Sequence, residues 1–318
     1  MTPTYFHRYT LKARDRLNAV TGQTEFAGAL IRRGDGVGCL HPWEALGDAS
    51  LEAELSALRS GQPLALGERA LECAREDGRA RRGEYSLFRG LDLPRCHATL
   101  TRPSEEAFEE AWAQGFSRFK VKARPDQQQL DLALAGISRL PPEARIRFDF
   151  NEEGNVHFLT LWLSRLSREQ KARIEFLEDP FPYEDPRDWR EFHGRMRIPL
   201  ALDQHLRDAV RGESQVGVIK PAVENPPKIL AQHPQIQDWV VTSYMDHPVG
   251  QAYAAWWAAH LDQSYEWGET FHGLATHQLF EPTPFSEELH MMGDRLIPPK
   301  GTGLGFNELL DKLPWKLL

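Results

Sequence analysis

The chain has 318 residues, 41% of them hydrophobic and 26% charged, with a formal net charge of −8. It is long enough to bury a substantial core in one large domain, or in a large and a small one, and its composition is that of an ordinary globular protein. The negative balance gives a nucleic-acid partner no electrostatic support, so an anionic substrate would need a local positive centre such as a metal ion.

The segment Met1–Arg8 lacks the apolar run of a secretory signal, and no stretch approaches the length of a membrane span. Cys39, Cys73 and Cys96 are odd in number and show no paired ligand spacing, which points to reduced thiols. A cytoplasmic protein with no membrane partner is the expectation. Residues 5–12 and 25–32 read as strands, and the turn chemistry of Arg33-Gly34-Asp35-Gly36 leads into Val37–Cys39, an antiparallel meander. Between the first two strands, Asn18–Thr24 is small and polar, as expected of a mobile loop that covers a site elsewhere. Asp48–Ser60 and Ala65–Arg82 have helical apolar spacing, for example Leu66, Ala70, Cys73 and Ala74. A small α+β domain over residues 1–95 results.

Pro94 marks a change of rhythm. From Cys96 onward, short apolar strands near 97–100, 117–122, 145–150, 174–178, 198–203, 216–220, 239–244 and 265–270 alternate with amphipathic helices. Those helices include Glu105–Gln114, Gln127–Arg139, Phe158–Leu166, Pro186–Gly194 and Gly250–Leu261. Eight βα units argue for a closed (β/α)8-type barrel, a modified TIM barrel over 96–286, with residues 287–318 returning to the α+β capping domain.

Within the second of these strands, Lys120 and Lys122 are two apart and so share a face. Two ammonium groups in one pocket disfavour each other's charge, which can lower one lysine pKa toward neutrality and yield a proton acceptor. Carboxylates must be close for such a pair to be tolerated. Asp149, Glu178 and Asp203 end the next three strands, and Lys220 ends the sixth. In a βα barrel all those ends open onto one face. Any one carboxylate there could merely cap the following helix. Three on successive strands, flanked by lysines, suit a hard divalent cation such as Mg²⁺. The layout is that for removing a proton next to the carboxylate of a small-molecule substrate, with the developing charge stabilised by a metal and an ammonium group. Gly301, Gly303 and Gly305 are not read as a dinucleotide fingerprint, because only a short tail follows them.

The order Lys-x-Lys, Asp-x-Asn, Glu-Asp-Pro, Asp, Lys resembles the enolase superfamily, in the subgroup of muconate-lactonising enzymes, dipeptide epimerases and o-succinylbenzoate synthases. Leu71–Asp77 and Lys300–Gly305 extend the likeness across nearly the whole chain. The resemblance implies Mg²⁺ on Asp149, Glu178 and Asp203, with Asn151 beside it. It implies Lys122 as the acid/base group, Lys220 facing it, and Lys120 at the substrate carboxylate. Arg147 looks like a substrate-positioning residue of the o-succinylbenzoate synthases, the most similar relatives. Ser243, Tyr244 and Gly268 fall where the family lines its substrate pocket. Trp267–His272 lacks the Asp-x-Asp pattern of dipeptide epimerases, and Cys39 stands where many members have a glutamate.

The implied reaction is Mg²⁺-dependent syn-dehydration of 2-succinyl-6-hydroxy-2,4-cyclohexadiene-1-carboxylate to 2-succinylbenzoate in menaquinone biosynthesis. Its alternative is an N-acylamino acid racemase or dipeptide epimerase, which needs Lys122 and Lys220 as two bases. A barrel without catalysis is the third reading, against which stand the retained carboxylates and lysines.

Overall fold

The computed structural model describes residues 2–14, 17, 23–207, 213–265 and 269–318. Strands Thr4–Lys12, Glu25–Arg33 and Gly36–Leu40 pair antiparallel in that order, and Lys316–Leu317 adds to the free edge of the first. Residues 18–22 of the expected covering loop lie outside the described residues. Helix Leu51–Arg59 starts where Ser50 accepts from the Ala53 amide, satisfying one of the donors left free at a helix start.

Helix Ala65–Arg82 lies directly on the strand Gly36–Leu40. A Cβ on Gly36 would stand 1.8 Å from the Ala74 carbonyl oxygen, and one on Gly38 1.9 Å from that of Ala70. Only glycine lets the two backbones approach so closely. Asp77, fully buried on this helix, accepts from the Val37 amide at 2.8 Å, the Leu304 amide at 2.6 Å and Arg81 Nε at 2.6 Å. One carboxylate thus fastens sheet, helix and carboxy-terminal turn together. Burial pushes its pKa up, against the pull of Arg81. The glycines at 301, 303 and 305 form that turn. Arg81 reaches the Gly305 carbonyl, and Gly303 adopts φ 61° with no room for a Cβ beside Asp77.

Seven parallel strands then follow in ring order: Ala98–Leu100, Arg118–Lys122, Arg145–Asp149, Ile174–Glu178, Leu200–Leu202, Val216–Ile219 and Asp238–Val241. Along the second, Phe119 and Val121 face outward and are fully buried under the helices, while Lys120 and Lys122 face the barrel interior. Ser104, Asp126, Asn155 and Asp185 cap the helices that begin at Glu105, Gln127, Val156 and Pro186. Two further helices have strong start signals that the apolar spacing did not bring out. Arg168–Arg173 carries a Ser167/Gln170 capping box, and Pro226–Gln232 has an Asn225 cap with proline in its first turn.

The eighth strand is Phe271–His272, later than the expected 265–270, because helix Pro248–Ser264 runs past its expected end at Leu261. It closes the ring on both sides. The Gly273 amide donates to Val241 at 2.9 Å and the Ser243 amide to Gly273 at 3.0 Å, while the His97 amide donates to His272 at 2.9 Å. Phe271–His272 also pairs with Arg95–Cys96, which pairs in turn with Arg295–Ile297 of a hairpin completed by His290–Met292. The three cysteines are free and buried, and burial raises each thiol pKa, that of Cys96 to about 12. Among the described residues no helix is long and apolar enough to cross a membrane.

Candidate active site

Strand pairing sets the first half of the site. Lys122 is in register with Asp149, and Asp149 with Glu178, so the three side chains stand side by side at the carboxyl ends of the second, third and fourth strands. Lys122 Nζ lies 2.5 Å from Asp149 Oδ2 and donates to Asn151 Oδ1 at 3.1 Å. Lys120, one layer lower, reaches up to bridge Asp149 Oδ2 at 2.8 Å and Glu178 Oε1 at 2.7 Å. On the fifth and sixth strands, Lys220 Nζ clasps both oxygens of Asp203. Second and sixth strands are diametrically opposite in an eight-membered ring. The two lysine groups therefore face each other across the carboxylates.

Burial works against the charge of Lys120, but Asp149, Glu178 and Asp203 outweigh it and raise its pKa. Lys220 behaves alike, its burial outweighed by Asp203. Mutual suppression within the lysine pair is therefore overridden at Lys120 by the nearby carboxylates. Asp149 is held well below the usual carboxylate range, because Lys120 and Lys122 overcome its burial. Glu178 is pushed up by burial and by the charge of Asp149.

Among the described residues no group of three Asp, Glu, His or Cys side chains is drawn together as a ready metal cluster. Ammonium groups stand among the carboxylates instead: Lys120 between Asp149 and Glu178, Lys220 on Asp203. The donor chemistry nonetheless fits a hard divalent cation. Buried carboxylates need a compensating charge, and oxygen ligands on three adjacent strands suit such an ion.

Other expected residues fall elsewhere. Arg147 shares the inward face with Asp149 but lies one layer deeper and is only 1% exposed. Its fork binds Glu175 through Nε at 2.9 Å and Nη2 at 2.8 Å, while Nη1 reaches the Phe271 carbonyl at 2.7 Å and His97 Nδ1 at 2.8 Å. A guanidinium so engaged is tied into the barrel core, one layer below the carboxylates beside which a substrate-positioning role was expected. The physical cause is an irregularity between Ile146 and Arg147 that brings Glu175 within reach. Ser243 shares a hydrogen bond with Thr276 at 2.5 Å and is buried. Tyr244 turns toward the capping region, donating to Asp48 at 2.8 Å, while its carbonyl accepts from Trp43 Nε1 at 2.7 Å. Neither contacts the lysines or the three carboxylates through a hydrogen bond. Gly268 and Trp267 lie outside the described residues.

Sequence reasoning passed over two supporting carboxylates. Asp179 accepts from the Asp203 amide at 3.0 Å and the Gln204 amide at 3.1 Å, aligning the end of the fifth strand. It lies within the Glu-Asp-Pro motif, so its neighbour Glu178 was a signal for it. Glu224 accepts from the Lys220 amide at 2.6 Å, and burial pushes its pKa up to about 7. Nothing in its local sequence announces that bond.

Residues 4–80 match the model of the o-succinylbenzoate synthase N-terminal domain, and residues 104–213 that of the enolase C-terminal domain-like family. A protein of Bdellovibrio bacteriovorus named o-succinylbenzoate synthase is 34% identical over 324 residues, covering 96% of either chain. The chain belongs to the o-succinylbenzoate synthase family. It is therefore an enzyme of the enolase superfamily, and solved structures agree in fold. A mandelate racemase/muconate lactonizing protein from Herpetosiphon aurantiacus superposes with a TM-score of 0.78 at 18% identity, covering 100% of this chain and 98% of its own. A dipeptide epimerase from Methylococcus capsulatus, complexed with Mg and the dipeptide L-Arg-D-Lys, gives 0.74 at 20% identity, covering 96% and 99%. This chain thus shares with these proteins the expected barrel and α+β cap.

Proposed function

We propose that this enzyme is an o-succinylbenzoate synthase, dehydrating 2-succinyl-6-hydroxy-2,4-cyclohexadiene-1-carboxylate to 2-succinylbenzoate in menaquinone biosynthesis. The observation that carries the reading is the placement of Lys122 and Lys220 on opposite strands around Asp149, Glu178 and Asp203. Those three carboxylates would hold Mg²⁺, with Asn151 beside them, and the ion would supply charge stabilisation to the substrate carboxylate.

Lys122 accepts the α-proton as an amine, and its conjugate acid then returns a proton to the departing hydroxyl. One C–H and one C–O bond break, a C=C bond forms, and the product is an aromatic ring and water. A single group suffices because both leave from one face. Lys220 holds a cation against the opposite face, where it stabilises the enediolate. Lys120 sits deeper, at 12% side-chain exposure, and keeps charge balance beneath the substrate carboxylate. The opposed lysines also fit racemisation of an N-acylamino acid or epimerisation of a dipeptide, in which Lys220 must act as a second base.

The test is absorbance-followed turnover of the cyclohexadiene substrate, alongside α-proton exchange in D₂O. Lys122→Ala should abolish both dehydration and exchange. Lys220→Arg, which keeps the charge without a usable base, should retain some dehydration and lose any racemase activity. Wild-type turnover of acylated amino acids but not of the cyclohexadiene would overturn the assignment, as would full activity in EDTA.

A further inference from the structure

Asp149, Glu178 and Asp203 sit at the head of three different loops, and one further carboxylate touches all three. Glu152 follows Asp149 by one short turn. Its Oε1 accepts from the Tyr183 amide at 3.0 Å, on the loop after Glu178, and lies 3.1 Å from His205 Nε2, on the loop after Asp203. Its own amide donates to the Asp179 carbonyl at 2.8 Å. The Tyr183 ring stacks against His205 with centroids 6.4 Å apart, and the tyrosine oxygen accepts from the Glu213 amide at 2.9 Å.

The backbone around this carboxylate is strained. Asn151, Glu152 and Asp179 adopt φ of 45°, 65° and 39°, left-handed conformations that side-chain-bearing residues hold only where their surroundings over-determine them. Glu152 is at the centre of those surroundings, since its bonds join the two strained loops to each other and to the third. Of the two supporting carboxylates described above, Asp179 joins only the fourth strand's end to the fifth's, and Glu224 bonds within the turn after Lys220.

We propose that Glu152 is a positioning residue that sets the spacing of Asp149, Glu178 and Asp203 by cross-tying their loops, with Tyr183 and His205 as its two arms. It acts through those carboxylates and does not touch the substrate. The inference rests on the reading of the three carboxylates as the metal-holding set. Outer partners of this kind orient ligands, and their loss weakens metal affinity.

The test compares the full-length wild type with Glu152→Ala, Glu152→Gln and His205→Ala by calorimetric titration with Mg²⁺. Amide hydrogen exchange over residues 149–153, 179–184 and 203–206 is measured in parallel without metal. Glu152→Ala should bind Mg²⁺ about 10–100-fold more weakly. Its three loops should exchange faster, and its turnover should recover as Mg²⁺ is raised, which a purely structural lesion would not do. Glu152→Gln keeps an oxygen for both arms, so its affinity and protection should stay near wild type. If Glu152→Ala fails to fold, His205→Ala removes one arm and should show the same effects at smaller size. Unchanged Mg²⁺ affinity in these variants, beside a wild type that binds the ion, overturns the proposal and leaves the metal reading standing. A wild type that binds no Mg²⁺ overturns the metal reading. In that case the exchange data decide the tie: unchanged protection in Glu152→Ala rejects it, and faster exchange in all three loops supports it.

Discussion

Replacing Lys120 by methionine tests how the charges of this site are held together. The lysine side chain is 12% exposed and its Nζ stands 2.8 Å from Asp149 Oδ2 and 2.7 Å from Glu178 Oε1, each carboxylate being only 2% exposed. Methionine keeps a flexible apolar stem and removes the charge. Deleting one partner of a buried ion pair costs about 3–5 kcal/mol, because the charge left behind is uncompensated. Lys122 still reaches Asp149 at 2.5 Å, so the loss falls mainly on Glu178. The expected cost therefore lies at the low end of that range, ~3 kcal/mol. In a chain of this size each kcal/mol moves Tm by about 2 °C, so scanning calorimetry in EDTA should show a fall of ~6 °C. Saturating Mg²⁺ stabilises any protein that binds it only when folded, by about 2.7 kcal/mol at a hundredfold excess over Kd. The variant should gain more from the ion than wild type does, since its carboxylates lack the ammonium that otherwise balances them. Equal Tm values for the two proteins in EDTA would refute this account, and so would equal gains on adding Mg²⁺.

Arg147→Met should destabilise the fold by about 3 kcal/mol, the low end for a broken buried pair because Glu175 keeps Arg118 Nε at 3.5 Å, while changing Mg²⁺ affinity little; urea unfolding beside calorimetric titration separates the two. A variant of native stability with lost metal binding would return Arg147 to the site. Asp77→Ala strands the Val37 and Leu304 amides and should cost ~4 kcal/mol, at about 1–3 for each orphaned buried group, seen as a lower urea midpoint at unchanged slope. An unchanged midpoint would mean that the carboxy-terminal turn is held by other contacts. Asp246 is buried, and burial pushes its carboxyl up to about 7. The folded value lies above the unfolded one, so its contribution to stability is complete below about pH 4 and is lost as pH rises through about 7. Asp246→Asn should flatten Tm against pH across that window, and a slope identical to wild type would count against the assignment.

Much of this site was legible locally. Period-two alternation places Lys120 and Lys122 on one face of their strand, and the lengths of the apolar runs place Asp149, Glu178, Asp203 and Lys220 at strand ends, because side-chain direction and strand length are properties of the chain itself. Depth and partnership are not. By parity Arg147 belongs with Asp149, but the irregularity beside it and the stagger of neighbouring strands decide that it meets Glu175 in the core. The eighth strand forms only where Gly273 can bond Val241 and Ser243 while His272 bonds His97, a closure that depends on both ends of the barrel at once. Asp77 and Glu152 each have partners that their own helix or loop does not announce. Each acquires its role because folding delivers partners from distant segments, Val37 and Leu304 to one, Tyr183 and His205 to the other. Local periodicity determines which way a side chain points, and the tertiary fold alone determines what it meets there.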